Sequence, residues 1–252
     1  MASLLRKYIV EKLAFQPPNP PHYDSVDDIV VYNQTYIKHI DPGKALSEDG
    51  LDYVLLYSHG NGEDLGTIEK MLNFLSGQLC AEIVAYDYKG YGPFQEGNRP
   101  SEEAVYENIN NALDYLMEQG IGPEKIVLVG RSLGSGPTCH LAKEHVFAGV
   151  VLISPLTSAV RTQIQFGIPA IDIFDNLSKV ASIAAPMMIV HGRNDRVVPF
   201  THGEQLYQTS IRPHTFLQMD ETGHNDVFVG TARAGDFLAA MQVFLLDLYE
   251  SE

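Results

Sequence analysis

Cysteine is scarce in this chain of 252 residues. Its two cysteines, Cys80 and Cys139, form neither a Cys-x-x-Cys pair nor a Cys/His spacing suited to zinc. A disulfide framework and a structural zinc site are therefore excluded, and we expect two reduced thiols in the core. No other pattern indicates a metal or an organic cofactor, so we predict neither.

Basic residues are also few. The chain has 17 Lys and Arg against 32 Asp and Glu, which gives a formal net charge of −15. Such a charge repels nucleic acid and opposes adsorption to an anionic membrane surface, so nucleic-acid partners are excluded. Hydrophobic residues make up 45% of the chain, which is an ordinary balance for a globular protein of this length.

Long apolar runs are missing from the N-terminal segment, residues 1–25. Its apolar residues are interrupted by charges at Arg6, Lys7, Glu11 and Lys12, which fits neither a signal peptide nor a membrane-spanning helix. We therefore expect a cytoplasmic protein with at most peripheral membrane contact. The apolar positions fall near helical spacing, which favours a short helix docked on the domain. Four prolines between positions 17 and 21 are expected to stiffen a linker after it.

The rest of the chain, residues 26–252, alternates between short apolar runs and helical stretches. After a strand-rich stretch at 28–40, apolar runs occur at 53–57, 82–86, 125–129, 149–153, 187–190 and 214–219. Helical stretches occur at 65–79, 101–117, 133–144, 201–209 and from about 227. This repetition predicts a single α/β domain with a mostly parallel sheet covered by helices on both faces. One long connection, about 154–185, is a candidate short lid.

A glycine-rich turn follows the run at 125–129. Gly130-Arg131-Ser132-Leu133-Gly134 joins that predicted strand to a predicted helix, which is the context of a nucleophile elbow. The sharp turn strains the backbone at Ser132, and the two glycines remove side chains that would collide with neighbouring elements. We predict that Ser132 is a catalytic nucleophile at the positive end of a helix dipole. The alternative is a glycine-rich helix start or a phosphate loop, without a catalytic serine.

A serine nucleophile needs a histidine base held by a carboxylate, and in this type of site they follow in the order serine, acid, histidine. Asp195 lies just past the run at 187–190, and His224 lies past the run at 214–219. Because ligands bind at the carboxyl ends of parallel strands, we expect both side chains beside Ser132. The competing histidines are His59, His191 and His202, of which the first two are expected to pack within their loops. The alternative acids, Asp220, Glu221 and Asp226, are expected at the surface or next to the catalytic groups.

The loop after the run at 53–57 supplies groups for an oxyanion hole. In this type of site the donors are the backbone N–H after the nucleophile and one from the first strand-to-helix loop. Leu133 fills the first position. Asn61 is predicted to fill the second, with Gly62 as the alternative donor. A tight turn without a role in binding is the other interpretation of this loop.

Two nearby clusters are interpreted as structural. Glu63 and Asp64 stand before the helical stretch at 65–79 and are predicted to cap it rather than to bind a metal. The sequence DYKGYG at 87–92 lacks the spacing of a phosphate loop, so we predict a turn near the pocket.

Apolar residues in the candidate lid indicate a binding surface for an acyl chain. They are Phe166, Ile168, Ile171 and Phe174. Packing within the lid itself is the alternative for all four. A lid this short leaves an open mouth, which suits an acyl chain presented on a bulky carrier.

Together these motifs resemble the alpha/beta hydrolase domain-containing protein 17 family. The matching segments are KLAFQPP at 12–18, YSHGNGEDLG at 57–66, DYKGYG at 87–92, GRSLGSGP at 130–137, the Asp195 loop and GHND at 223–226. The resemblance implies an α/β-hydrolase fold, with a mostly parallel central sheet, helices on both faces and a short lid. Members of the family are acyl-protein thioesterases that remove palmitate from cysteines of membrane-attached proteins. That activity implies Ser132 as nucleophile, His224 as base and Asp195 as its orienting acid.

We therefore expect a serine hydrolase that cleaves acyl thioesters or esters, and its partners are then an acylated protein or a lipid or small-molecule ester. Animal members of the family carry a palmitoylated cysteine cluster near the N-terminus. This chain has no cysteine before Cys80, so lipid anchoring of that kind is not expected. The alternatives are a small-molecule carboxylesterase or monoacylglycerol lipase, which the chain resembles less closely, a non-catalytic binding protein on the same scaffold, and, more weakly, a peptidase.

Overall fold

The apolar runs form the strands of one eight-stranded sheet in the computed structural model, which describes residues 11–12, 14–24, 28–42, 53–93, 98–162 and 172–250. The strands are β1 (Ile29–Tyr32), β2 (Thr35–Ile40), β3 (Val54–Ser58), β4 (Glu82–Tyr86), β5 (Ile126–Arg131), β6 (Gly149–Ile153), β7 (Met187–Gly192) and β8 (Pro213–Met219). Their order in the sheet is β1-β2-β4-β3-β5-β6-β7-β8. The hairpin β1–β2 is antiparallel and β2 joins β4 antiparallel, whereas all pairs from β4 to β8 are parallel. The prediction of a mostly parallel sheet is confirmed.

Helices cover both faces of this sheet. They are α1 (Leu65–Leu79), α2 (Glu102–Glu118), α3 (Ser135–Glu144), α4 (Asn176–Val180), α5 (Thr201–Thr209) and α6 (Thr231–Glu250). Side chains of α2, α3, α4 and α5 contribute to the hydrophobic cluster on one face, and α1 and α6 contribute to the cluster on the other. In the described part of the chain, no helix combines the length and the apolar character needed to cross a bilayer.

The central strands are apolar throughout because both of their faces are buried. In β5, Ile126 and Leu128 pack into one cluster while Val127 and Val129 pack into the other, as the two-residue period of a strand requires. Each fully buried side chain of this size contributes about 1.5–3 kcal/mol to folding. This burial holds the strands in a fixed register, and the loops at their ends are therefore held in place as well.

Four parallel strands end at the same edge of the sheet. Ser58 at the end of β3 pairs with Gly130 of β5, and Gly192 at the end of β7 pairs with Met219 of β8. Only β6 lies between β5 and β7. The loops that follow these four strands carry the candidate residues Asn61, Ser132, Asp195 and His224. The sheet thus brings together residues that are far apart in the sequence.

The two cysteines occupy different environments. Cys139 is buried in α3, as expected for a core thiol, and burial raises the pKa of its thiol to about 12. Cys80 is exposed, so the prediction of a core thiol is wrong at this position. It follows the last residue of α1 in the left-handed conformation, with φ of 52°, and a residue that ends a helix in this way commonly lies at the surface.

Candidate active site

Ser132 lies in the tight turn between β5 and α3. Its backbone has a φ of 51°, in the left-handed region that is costly for a residue other than glycine. A Cβ on Gly130 would lie 2.5 Å from Oγ1 of Thr138, and a Cβ on Gly134 would overlap the carbonyl of Ser58. Both glycines therefore allow the turn to pack against the neighbouring strand and helix. The hydroxyl of Ser132 projects from this turn at the start of the 3-10 helix Ser132–Gly134.

His224 contacts Ser132 from the loop after β8. Its Nε2 lies 2.9 Å from Oγ of Ser132, and its Nδ1 lies 2.7 Å from Oδ2 of Asp195. The carboxylate of Asp226 accepts a hydrogen bond from the backbone N–H of Gly223 at 2.9 Å, which stabilises the turn that carries the ring. The three side chains form one hydrogen-bonded chain, although Ser132 and His224 are 92 positions apart in the sequence.

Asp195 is fixed by the loop after β7. Its Oδ1 accepts backbone N–H groups of Val197 at 2.9 Å and of Val198 at 2.8 Å. On the other side, Nε2 of the buried His191 lies 3.4 Å from Oδ2. Burial by itself would raise the pKa of the Asp195 carboxyl, but the hydrogen bonds from His191, His224 and the Val198 N–H outweigh burial and hold that pKa well below its usual range.

These contacts fix where the proton sits on a neutral His224 ring. An ionised carboxylate only accepts hydrogen bonds, so the Nδ1 that faces Asp195 carries the proton. The Nε2 of the same ring is then unprotonated and accepts the hydroxyl proton of Ser132. This is the arrangement in which an imidazole can remove a proton from a serine hydroxyl.

The loop after β3 lies across from Ser132 and contains Asn61. The side chain of Asn61 is used structurally, because its Oδ1 accepts from the backbone N–H of Gln16 at 2.8 Å and from the hydroxyl of Tyr91 at 2.7 Å, and its Nδ2 donates to the carbonyl of Ala14 at 2.7 Å. Any role of Asn61 in binding an oxyanion therefore falls to its backbone N–H. Leu133 is the second residue of the 3-10 helix Ser132–Gly134, where the first N–H groups lack partners within the helix.

Part of the N-terminal segment packs beside this loop. Phe15 is buried, and its ring meets that of Phe174 edge to face with 5.8 Å between the centroids. Further along the segment, the backbone N–H of His22 donates to Asp64 at 2.8 Å. Gln16 and Ala14 line the cavity in front of Ser132. Residues just before the proline-rich stretch at 17–21 thus form part of one wall of the candidate site, and the N-terminal segment packs on the domain.

A cavity of about 1010 Å³ opens in front of Ser132 and His224, which is the size of a small-molecule site. Its apolar lining includes Ile68, Met71, Leu156, Val160, Val198 and Phe228. Phe174, one of the four residues predicted to bind an acyl chain, is also part of the lining and is fully buried. The other three, Phe166, Ile168 and Ile171, lie outside the described residues.

The two acids before α1 have different roles, and one of them pairs with Arg131, whose partners the sequence did not reveal. Asp64 caps α1 as predicted, since its Oδ1 accepts the backbone N–H of Thr67 at 2.9 Å. Glu63 does not cap the helix; it forms an ion pair with Arg131, and for this residue the prediction is wrong. Arg131 also donates to Oδ1 of Asn225 at 2.7 Å. The one feature of the sequence that indicates such a partner is the charge of Arg131 itself, which lies between Gly130 and Ser132 at the buried end of an apolar strand.

A family model and a curated relative match this chain. The family model described as Serine aminopeptidase, S33 matches residues 51–173. Alpha/beta hydrolase domain-containing protein 17B of Xenopus laevis is 38% identical over 178 residues, which are 69% of this chain and 61% of that protein. The match therefore spans less than two thirds of the relative's own length.

Solved structures with little sequence identity share the fold. A variant of the meta-cleavage product hydrolase CumD superposes with a TM-score of 0.64 at 15% identity, over 87% of this chain and 97% of that one. The monoacylglycerol lipase of Paleococcus ferrophilus superposes with a TM-score of 0.60 at 19% identity, over 85% and 99% of the two chains. Fold and sequence agree: the chain has the α/β-hydrolase fold and is a relative of the alpha/beta hydrolase domain-containing protein 17 family.

Proposed function

We propose that this protein is a serine hydrolase that cleaves acyl thioesters or esters, with Ser132 as nucleophile, His224 as general base and Asp195 as the orienting acid. The observation that carries the proposal is the hydrogen-bonded chain from Ser132 through His224 to Asp195, which lies at an apolar cavity. A serine hydroxyl is a weak nucleophile until an adjacent base accepts its proton. The distances of 2.9 and 2.7 Å in this chain are those of a base in reach of its nucleophile and its orienting group.

In the proposed reaction, Nε2 of His224 takes the proton of Ser132 as Oγ attacks the acyl carbonyl carbon. Negative charge then develops on the carbonyl oxygen, and the backbone N–H groups of Leu133 and Asn61 are the proposed donors to it. His224 returns the proton to the leaving thiol or alcohol, which leaves an acyl group on Ser132. Water attacks that acyl-enzyme with His224 again as base, and the carboxylic acid is released.

The cavity supports a long acyl chain as the substrate group. Its apolar walls come from α1, from the N-terminal segment and from both described ends of the proposed lid at 154–185. Ala159, Val160 and Thr162 line it from one end of that lid and Phe174 lines it from the other. A palmitoylated protein as carrier is proposed from the similarity to alpha/beta hydrolase domain-containing protein 17, whose family members are depalmitoylases. Such a carrier would place the protein at a membrane surface through its substrate.

The test is the turnover of a palmitoyl thioester and of the matching palmitoyl oxyester, in which an oxygen atom replaces the thioester sulfur. Wild-type protein is expected to hydrolyse the thioester, and Ser132→Ala is expected to lower kcat by about 10⁶-fold because it removes the nucleophile. Ser182→Ala, which changes an exposed serine after α4, is the matched control and is expected to keep wild-type turnover.

The outcomes separate the candidate functions. Thioester turnover that depends on Ser132 supports the depalmitoylase proposal. Turnover of the oxyester alone would replace that proposal with a carboxylesterase or a monoacylglycerol lipase. If wild type turns over neither substrate, a binding role replaces the proposal, and if turnover is unchanged in Ser132→Ala, the hydrolysis does not use Ser132 and the proposed mechanism is wrong.

A further inference from the structure

We infer that Arg131 is a positioning residue that joins three loops of the proposed catalytic site. This inference rests on the proposed function. One guanidinium nitrogen, Nη1, forms an ion pair with Oε1 of Glu63, and the other, Nη2, donates to Oδ1 of Asn225 at 2.7 Å. Arg131 itself precedes Ser132 in the chain. We call Arg131, Glu63 and Asn225 the loop clamp.

Each member of the loop clamp is next to a group that the mechanism needs. Asn225 directly follows His224 in the sequence. The second carboxylate oxygen of Glu63 accepts the backbone N–H of Gly60 at 2.6 Å, and Gly60 directly precedes Asn61. The clamp therefore sets the nucleophile, the base and one proposed oxyanion donor relative to one another.

The local packing is built around this contact. A Cβ on Gly60 would lie 2.8 Å from Oε2 of Glu63 and 2.9 Å from Nη1 of Arg131. Glycine at position 60 thus lets the oxyanion loop close over the ion pair. Since the backbone at this position is shaped to accept the pair, removal of the pair is expected to release the loop.

Burial strengthens the ion pair of the clamp, whereas Asn225 lies at the surface. The side chains of Arg131 and Glu63 are 10% and 18% exposed, so their hydrogen bonds compete little with water. Hydrogen bonds between charged groups are shorter and stronger than neutral ones, and the guanidinium presents its donors in a planar fork. Burial would lower the pKa of Arg131, but the Glu63 carboxylate outweighs burial and raises it, so Arg131 stays charged.

The test compares Arg131→Met with Arg212→Met. Arg212 is an exposed arginine directly before β8 that donates to the carbonyl of Ala184 at 3.2 Å, so it controls for the loss of an arginine elsewhere. The substrate is the ester or thioester that wild type turns over best, and active sites are titrated to completion with a fluorophosphonate. Per titrated site, Arg131→Met is expected to lower kcat by about 10²-fold, since a misplacement of about 1 Å can cost that much.

The value of KM distinguishes a positioning role from a role in substrate binding, because only loss of a binding role would raise KM. Groups that act only in the transition state change kcat and kcat/KM together, so KM of Arg131→Met is expected to stay within about threefold of wild type. Arg131→Lys keeps the charge but lacks the fork and is expected to lose kcat as well. Arg212→Met is expected to match wild type in both constants.

Hydrogen exchange measures how firmly the clamp holds the two loops in the free protein, and it does not require turnover. In Arg131→Met, amides of residues 59–64 and 221–228 are expected to exchange faster than in wild type, while Arg212→Met shows no such change. If Arg131→Met does not fold, Asn225→Ala removes one arm only. It is expected to raise exchange at 221–228 but not at 59–64, and to lower kcat by about tenfold, a smaller misplacement than the loss of both arms.

Several results would overturn the inference. Unchanged kcat per titrated site in Arg131→Met, with a lower melting temperature or fewer titratable sites, would show that Arg131 only stabilises the fold. Unchanged exchange in both loops would show that they are held without it. A wild-type protein whose activity does not depend on Ser132 would refute the proposed function instead, and the exchange measurement would still decide whether Arg131 holds the loops.

Discussion

His224→Ala is expected to lower kcat by about 10⁵- to 10⁶-fold, the largest effect of any substitution at the site other than that of Ser132. The alanine removes the acceptor that lies 2.9 Å from Oγ of Ser132, so the hydroxyl must lose its proton to water as it attacks. It also removes the acid that protonates the leaving group. The remaining rate comes from the oxyanion donors and from substrate binding.

His214→Ala is the matched control for this prediction. His214 lies at the start of β8 and pairs with Asp247, with Nε2 and Oδ2 3.3 Å apart. Steady-state turnover with an ester or thioester substrate is measured for both variants, together with their melting temperatures. A His224→Ala protein that stays folded and keeps more than about one hundredth of wild-type kcat would contradict its role as the base, because general acid–base catalysis contributes at least that factor.

Asp195→Asn is expected to lower kcat by about 10⁴-fold with little change in structure. The amide oxygen can still accept the N–H groups of Val197 and Val198, so the loop keeps its shape. Its NH₂ group then faces His224 and donates to Nδ1, which turns the ring into the tautomer with a proton on Nε2. That nitrogen can no longer accept the hydroxyl proton of Ser132.

The control for Asp195→Asn is Asp220→Asn, which changes an exposed acid that follows β8 and pairs with Arg193. The expected result is wild-type kcat in Asp220→Asn and a loss of about four orders of magnitude in Asp195→Asn, with kcat measured per titrated active site. If the two variants have the same activity, Asp195 does not orient the base. A large loss in Asp220→Asn instead would move the acid role to the end of β8.

Much of the fold was predictable because the apolar runs and the Gly-x-Ser-x-Gly turn that indicate it are local features of the sequence. Apolar runs such as 149–153 and 82–86 agree with the observed strands to the residue, since a strand buried on both faces must be apolar at every position. The Gly-x-Ser-x-Gly turn predicted the strand-to-helix junction at Ser132. Its helix begins two residues later than expected, at Ser135, because a 3-10 turn intervenes.

The grouping of Ser132, Asp195 and His224 could also be anticipated. Each follows an apolar run, and the ends of parallel strands meet at one edge of a sheet. The structure places the three side chains within hydrogen-bonding distance, while their catalytic roles stay predictions until the variants are measured.

The loop clamp could not be predicted, and neither could the particular residues that the N-terminal segment contacts, because both depend on contacts between distant parts of the chain. Arg131 meets Glu63 across 68 positions and Asn225 across 94. The hydrogen bond from the backbone N–H of Gln16 to the side chain of Asn61 joins residues that are 45 positions apart. No local periodicity marks such pairs, since each partner is an ordinary polar residue in its own loop. Glu63 was assigned to a cap because a carboxylate before a helix usually has that role.

The most direct test of the central claim is covalent labelling of the wild-type protein with a fluorophosphonate, followed by mass spectrometry of its peptides. Such a probe reacts with a serine only when an adjacent base activates it. The account predicts one adduct, on Ser132, that is absent from Ser132→Ala and strongly slowed in His224→Ala. A protein that is not labelled, or is labelled at another serine, would contradict it.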